Sequence, residues 1–312
     1  MYTFERLRKG DALRIQELYS SCFGLQRSVE AIEHKYATEP LGHGTVGFFA
    51  VSPEGETAAY YGVFPLKFNY QGKELLAAQS GDTMTAPNHR KRGLFLQLAE
   101  ETYRVCESNE FSFVFGFPNQ FSFKGFKKGL NWKFYGNMSR FVMETRALPL
   151  VEISSKSAVL SSILAPLIKR RIAQQKVPLT DEIVQGFKVP NSVACSIKSK
   201  AFFDYKLQNK NVFLVRLGST YAIVKCETHL YIGEITFNER CNFTTLLRDI
   251  KRLAHRLYCK KVIFNVNQHH WLHQQLSKEL KAEEGLPIGF YQIDSTLEYA
   301  DFAFSGADFD TF

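Results

Sequence analysis

Asp82-Thr83-Met84-Thr85-Ala86-Pro87-Asn88-His89-Arg90-Lys91-Arg92-Gly93-Leu94-Phe95 carries more structural information than any other part of this chain. It begins as the end of a strand, breaks at Ala86-Pro87-Asn88, and passes through three cationic side chains to a glycine that opens a helix. After Gly93 the positions Phe95, Leu98, Ala99, Thr102 and Cys106 fall on one stripe, while Glu100 and Glu101 face away. That is the pattern of a helix packed on a sheet. A helix start presents backbone N–H groups without partners and a partial positive charge, so it attracts anions. Gly93 has no Cβ to hold a phosphate off the backbone. Arg90 and Arg92 can reach phosphate oxygens with directed donors. A pyrophosphate ligand fits such a loop. The loop lacks the Gly-Lys-Ser/Thr ending of a P-loop, and it follows antiparallel strands, which argues against a Rossmann site.

Upstream, apolar spacing predicts helices over residues 11–22 and 29–36. Strands are expected at 45–51 and 57–64, joined by the turn Pro53-Glu54-Gly55, and at 67–70 and 75–85, joined by Gln71-Gly72. Downstream, residues 111–116 are apolar at nearly every position and read as a central strand. A short helix over 121–130 and a strand over 132–144 follow. Residues 146–192 change character, with a helix at 158–175 that ends near Lys169-Arg170-Arg171. The second half then repeats the order of the first: a helix at 199–207, strands near 211–217, 221–227 and 230–238, a helix at 244–258, a strand at 261–266, a helix at 271–282, and strands near 289–295 and 303–310. The fold class is thus α/β, an α+β arrangement with a mixed sheet, duplicated in tandem. The expected domains are 1–147, a helical connector at 148–192, and 193–312.

Around the opening loop the sequence resembles the GNAT acetyltransferase family. The family signature, Gln/Arg-x-x-Gly-x-Gly/Ala at a helix start, falls on Arg90, Gly93 and Phe95, with Phe95 departing from the usual small residue. Gln79-Ser80-Gly81-Asp82-Thr83-Met84, Pro87-x-x-Arg90-x-x-Gly93 and Phe113-Val114-Phe115-Gly116-Phe117-Pro118-Asn119 resemble a subgroup common in bacterial surface-polysaccharide clusters. The second half has no Arg-x-x-Gly-x-Gly equivalent, so one cofactor site is expected. The resemblance implies acetyl-CoA as co-substrate and no metal. It implies that backbone groups at Thr83, Met84 and Thr85 bond the pantetheine arm, that amides of Arg90, Lys91, Arg92, Gly93, Leu94 and Phe95 hold the pyrophosphate, and that Asn119 contacts the cofactor arm. The thioester would lie where strands 75–85 and 111–116 splay apart.

The family reaction is direct attack of an amine on the thioester. It needs a proton acceptor and an oxyanion donor, the latter near Met84. Asp82 is the candidate base on the fourth strand, on the same face as Met84. The family's leaving-group tyrosine is matched here by Phe126, which has no hydroxyl, and Tyr135 is the substitute candidate. The C-terminal carboxylate of Phe312 is a remote third possibility. The expected activity is N-acetyl transfer to a small primary amine, with an amino sugar or nucleotide-linked amino sugar as first guess. The alternatives are a catalytically impaired CoA- or ligand-binding module and a Fem-type aminoacyl transferase, which would not need the basic loop.

Bulk composition fits this reading. The chain has 312 residues, 45% of them hydrophobic, and a net charge of +8 that no dense basic arm carries, so nucleic acid is not an expected partner. No apolar run is long enough to span a bilayer and the first residues lack a signal core, so a cytoplasmic protein without membrane contact is expected. Cys22, Cys106, Cys195, Cys226, Cys241 and Cys259 form no C-x-x-C pair, and His269, His270 and His273 lack the Glu of an H-E-x-x-H zinc site.

Overall fold

Strand β1 (Thr3–Arg6) opens the chain in the computed structural model, which describes residues 1–237 and 242–312. Helices α1 (Ala12–Phe23) and α2 (Val29–Tyr36) follow, then β2 (Val46–Val51), β3 (Thr57–Tyr70) and β4 (Lys73–Thr85). The two strands expected within 57–70 are one. Pro65 lies just past the last β2 partner, Val63, where a ladder donor can be dispensed with. β3 is buried from Ala58 to Leu66, as a strand covered on both faces must be. After α3 (Leu94–Ser108) and β5 (Phe113–Gly116), residues Gly125–Gly129 form a π-helical turn, and β6 (Lys133–Glu144) ends the first half.

The second half contains α4 (Leu150–Ser155), α5 (Ala158–Gln175), α6 (Asp181–Gly186), β7 (Cys195–Ser196), α7 (Lys200–Lys206), β8 (Val212–Leu217), β9 (Thr220–Cys226), β10 (Leu230–Ile235), α8 (Phe243–Arg256), β11 (Lys261–Val266), α9 (Trp271–Glu279) and β12 (Ala282–Gln292). No strand occupies 303–310. Isolated bridges at Ala303 and Ser305 and a short 3-10 turn, Gly306–Asp308, stand there instead. Asn238 and Cys241 lie outside the described residues.

The chain divides into two compact units. The first is Met1–Gly136 with Leu286–Ala300, and the second is Asn137–Gly285 with Asp301–Phe312. In the first the strand order is β1-β2-β3-β4-β5-β12, antiparallel except for the parallel β4–β5 pair. Gly289–Gln292 of β12 pairs antiparallel with β5. In the second the order is β6-β11-β10-β9-β8, with β10–β11 the parallel pair and β6 antiparallel to β11. Each unit therefore takes its last strand from the other half of the chain, and this is why the expected boundaries at 147 and 192 do not coincide with the compact units. The stretch 148–192 belongs to the second unit: Val151 and Ile168 lie in the same buried cluster as Val215, Val224 and Phe264.

In the first unit the sheet has two dressed faces. Tyr61, Val63, Ala78 and Val114 pack against Leu94, Leu98, Ala99 and Tyr103 of α3. Phe49, Tyr60 and Met84 pack against Ala12, Ile15 and Leu18 of α1 and Ile32 of α2. Burying each large side chain contributes about 1.5–3 kcal/mol. In the second unit α8 buries Leu246, Leu247, Ile250, Leu253 and Ala254, a single helical stripe.

Candidate functional site

β4 departs from regular pairing where the chemistry was expected. Tyr61 pairs with Thr83 and Val63 with Ser80, so β4 carries one residue more than β3 across this step. Gly81 and Asp82 thus form a β-bulge opposite Gly62, which bends the strand. On its other side β4 pairs with β5 only from Ala77↔Phe113 to Gln79↔Phe115. From Ser80 to Thr85 it continues past the end of that pairing, which is where a wedge between the two strands is expected.

A buried chain of hydrogen bonds braces the base of the wedge. The Trp132 indole N–H donates to the Tyr103 hydroxyl at 3.0 Å, Tyr103 and Tyr61 hydroxyls meet at 2.9 Å, and Tyr61 donates to Ser80 Oγ at 2.8 Å. Burial pushes both phenols up, so they stay protonated donors. Sequence reasoning missed this chain because its members are far apart in sequence.

Beyond Thr85 the loop turns through Pro87–His89, and Lys91 and Gly93 take left-handed backbone conformations, φ +63° and +75°. Lys91 bears a strain of about 1–2 kcal/mol in that region, and such strain collects at functional loops. α3 starts with Gly93 as its N-cap, without a side-chain cap and without an acid in the first turn. The amides from Lys91 to Phe95 have no backbone acceptor, and the first capping bonds are Leu96 and Gln97 to the Gly93 carbonyl. Arg90 donates to the Thr85 carbonyl, and Arg92 donates to the Tyr2 hydroxyl and the Asn88 carbonyl. Both are exposed at the loop surface.

Leu94 is buried at 2% exposure, and Phe95 packs on Tyr61 and Phe126. The bulk of Phe95 at the signature's small-residue position is matched across the contact. A Cβ on Gly125 would stand 2.6 Å from Phe95 Cε1, and one on Gly129 2.6 Å from Leu96 Cδ2. The small residues have moved to the opposing π-helical turn. Phe126 is a correction to the expected cofactor contacts: its ring lies in the core against Phe95 and Trp132 and is 4% exposed.

The other expected residues separate into two groups. Met84 is buried under α1 and α2, and the Thr83 hydroxyl donates to the Gly81 carbonyl. Asp82 lies on the same face as Met84, where Lys35 Nζ (2.8 Å) and the Tyr36 hydroxyl (2.9 Å) donate to it and Arg27 stands 3.9 Å away. Tyr135 instead accepts from Gln292 Nε2 at 3.0 Å and sits among Phe290 and Tyr299. Asp82 and Tyr135 share no partner, so the two expected catalytic groups do not form a pair. The Asn119 side chain accepts from the amides of Phe121 and Ser122 and thereby caps its own turn.

Burial alone would raise the Asp82 carboxyl, but Lys35, Arg27 and the Tyr36 hydroxyl together hold it below its ordinary value. A carboxylate held this way is a weak base. Because the folded group titrates below its unfolded value of about 3.9, its contribution to stability is complete above that pH and is withdrawn as the pH falls through the folded value. Asp82→Asn should lower the melting temperature by several degrees at pH 7 and flatten the acid limb of the stability–pH curve. Parallel acid limbs for variant and parent, followed by calorimetry from pH 7 to pH 2, would show that the ion pair does not act.

The second unit repeats the bulge, but there the tail follows the end of the parallel pairing. β10 shifts register between Ile232 and Glu234, around Gly233, so a Gly–acid pair stands at the bulge in both units. β10 leaves β11 after Ile232↔Phe264, and the tail enters there. Ser305 bridges to Val266, Asn267 bonds the backbone of Phe302 and Phe304, and a Cβ on Gly306 would lie 3.0 Å from the Ile232 carbonyl. The Phe312 ring covers Gly233.

Residues 3–133 match the family model described as "Acetyltransferase (GNAT) domain". The domain so matched is that of an acyltransferase. No curated protein sequence matches the chain. Among solved structures, the chain resembles an Enterococcus faecalis V583 protein described as a "Probable N-Acyltransferase", at TM-score 0.63 and 12% identity over 94% of this chain and 73% of that one. A GCN5-related N-acetyltransferase from Kribbella flavida gives 0.62 at 10% identity over 94% and 72%. A tandem GNAT protein from the clavulanic acid biosynthesis pathway gives 0.59 at 10% identity over 94% and 99%. The fold is therefore the mixed α/β GNAT fold. Among the described residues no helix is long and apolar enough to cross a membrane, and no cluster of three metal-ligating side chains occurs.

Proposed function

We propose that this chain is an N-acetyltransferase that moves an acetyl group from acetyl-CoA to the primary amine of a small acceptor, using a single cofactor site in its first unit. The observation that carries the proposal is the stretch of β4 that runs on past its pairing with β5 towards a helix start whose amides lack partners, inside the stretch that matches an acetyltransferase domain. The residues present fit the cofactor. The amides of Lys91 to Phe95, with Gly93 bare of a Cβ and no acid in the first turn, suit a diphosphate, whereas the Arg90 amide is taken by the Pro87 carbonyl. Backbone groups of Thr83, Met84 and Thr85 line the strand edge along which an extended pantetheine arm would pair. Acetyl-CoA supplies the activated acyl thioester.

The amide near Met84 is the candidate oxyanion donor. Asp82 is better suited to positioning than to proton abstraction, since it fixes Lys35 and Tyr36 of α2 beside the bulge. A water is then the proton acceptor most compatible with these contacts. An amino sugar or nucleotide-linked amino sugar is the first acceptor class to try. The tail that fills the second wedge supports a single cofactor site.

A ligand that binds only the folded chain raises its melting point by mass action, by about 2.7 kcal/mol at a hundredfold excess over Kd. Acetyl-CoA at millimolar concentration should produce such a shift, and glucosamine-type amines should then release free thiol. No thermal shift would overturn the assignment. A shift with no thiol release from any amine would favour the ligand-binding alternative, for which the buried Phe126 and the ion-paired Asp82 already argue.

A further inference from the structure

Helix α5 is apolar on two faces, and only one of them is covered. It carries no charged side chain from Ala158 to Ile168 and no acid anywhere along its 18 residues. Leu164, Ile168 and Ile172, spaced four apart, pack on the core of the second unit. Val159, Ile163 and Leu167 have the same spacing and form a second row that is turned away from it. Val159 is 67% exposed and Ile163 66%, and Leu160 and Leu167 are exposed beside them. With Leu148 these make five of the eleven large apolar side chains exposed among the described residues, so uncovered apolar surface is concentrated in this one stretch. A helix face that meets water is normally charged, as on α8, where Arg248, Lys251, Arg252 and Arg256 are exposed.

The uncovered row runs into a cluster of cations. Lys169, Arg170 and Arg171 follow Leu167 within one turn, and all three are exposed. Arg256 of α8 donates to Gln175 at the same end of α5 and adds a fourth cation there. Residues 145–176 contain six cations, Arg146, Lys156, Lys169, Arg170, Arg171 and Lys176, against the single acid Glu152. That acid is already held by Lys156 at 2.8 Å. An apolar ridge therefore ends in a positive patch that nothing on α5 neutralises.

We propose that α5 is a docking face for an anionic phospholipid surface, with Val159, Ile163 and Leu167 at the headgroup–acyl boundary and Lys169, Arg170 and Arg171 among the lipid phosphates. This occupant meets both parts of the face. The apolar row gains by leaving water, and the cations gain from the negative potential of the headgroups. Their long stems let the charges reach phosphate while the methylenes lie along the apolar row. A second copy that met α5 with its own α5 would bring two basic runs together with no acid on either helix. A helix that lies on a bilayer needs neither the length nor the apolarity of one that crosses it. The inference does not depend on the acetyl-transfer reading.

Flotation of the full chain with lipid vesicles, without acetyl-CoA, tests it. The protein should float with phosphatidylcholine vesicles that contain about one third phosphatidylglycerol. It should stay behind with phosphatidylcholine alone, and raised salt should release it. A basic chain also adsorbs to anionic lipid by charge alone, so the decisive variant keeps the charge. Ile163→Gln combined with Leu167→Gln does so at two exposed positions, and it should weaken binding roughly tenfold or more. Lys169→Gln combined with Arg170→Gln should weaken it by a similar factor. Hydrogen exchange on the parent locates the contact without any variant: the amides of residues 158–175 should slow when anionic vesicles are bound. No flotation with anionic vesicles at low salt overturns the proposal, and so do α5 amides that are indifferent to bound vesicles. Undiminished binding by the folded double glutamine variant at 163 and 167 also overturns it. A dimer in light scattering that this variant dissociates would do the same, since a second copy would then cover the face.

Discussion

Gly93→Val should remove the thermal stabilisation conferred by acetyl-CoA while leaving the protein folded. Gly93 has φ +75°, and a Cβ there would meet only the Gln97 amide nitrogen at 3.3 Å. The folded state therefore tolerates the added atoms at the expense of backbone strain, about 1–2 kcal/mol for a non-glycine residue in the left-handed region. Lys91 already adopts that region two residues earlier. The bound state has no such room. A valine at this N-cap stands over the amides that would face the diphosphate, and phosphate affinity at a helix start depends on direct approach to those amides. A shift of several degrees in the parent should fall to within error. Gly93→Ala separates the two effects: it bears less strain than β-branched valine and adds little bulk, so its ligand-free melting point should lie between those of the parent and the valine variant while part of the shift returns. Full retention of the shift in Gly93→Val would mean that the phosphates lie elsewhere.

The features legible in the sequence are local ones. The helix after Gly93, the turns at Gly55 and Gly72 and the stripe of α8 follow from spacing and turn chemistry over a few residues. The bulge at Gly81-Asp82 is not visible that way, because it depends on the register against β3. The exchange of last strands is further out of reach, since β5 and β11 each take a partner from the distant half of the chain. Among site residues, Arg90 and Gly93 were readable as a loop, whereas the fate of Asp82 depended on where α2 docks. Phe126 was misread because a missing hydroxyl was visible and a facing Phe95 was not. The histidines at 269, 270 and 273 are recognisable only by their spacing, and nothing local announces that His270 faces Glu234, 36 residues away.

The largest loss of stability is expected from Lys198→Met. Lys198 and Asp308 are 7% and 2% exposed and in contact at 2.5 Å. Removing one partner of a buried pair typically costs about 3–5 kcal/mol, because the other charge stays behind without compensation. Here the penalty is compounded, since Lys198 also helps to hold the Glu234 carboxyl below its ordinary value. For a chain of this size, each kcal/mol moves the melting temperature by about 2–4 °C, so a fall on the order of 10 °C or more is expected.

The pH dependence identifies the cause. Burial opposes the ionised form of Asp308, and Lys198, with Ser196 and the Ser305 amide, holds its carboxyl below the ordinary value. In the parent that contribution is complete above the unfolded value of about 3.9 and is lost as pH falls through the folded value. Without Lys198 the burial penalty prevails and the carboxyl moves upward, so the variant is worst at neutral pH and approaches the parent on acidification. Lys198→Met combined with Asp308→Asn removes both charges and keeps an acceptor for Ser196, and should recover most of the loss, because deleting both members of a pair is nearly neutral where deleting one is not. Denaturant unfolding at pH 7 and pH 5, followed by circular dichroism, measures all of this. A single variant within about 1 kcal/mol of the parent, below the range for a buried pair, would mean that water reaches Asp308, and so would a double variant no better than the single one.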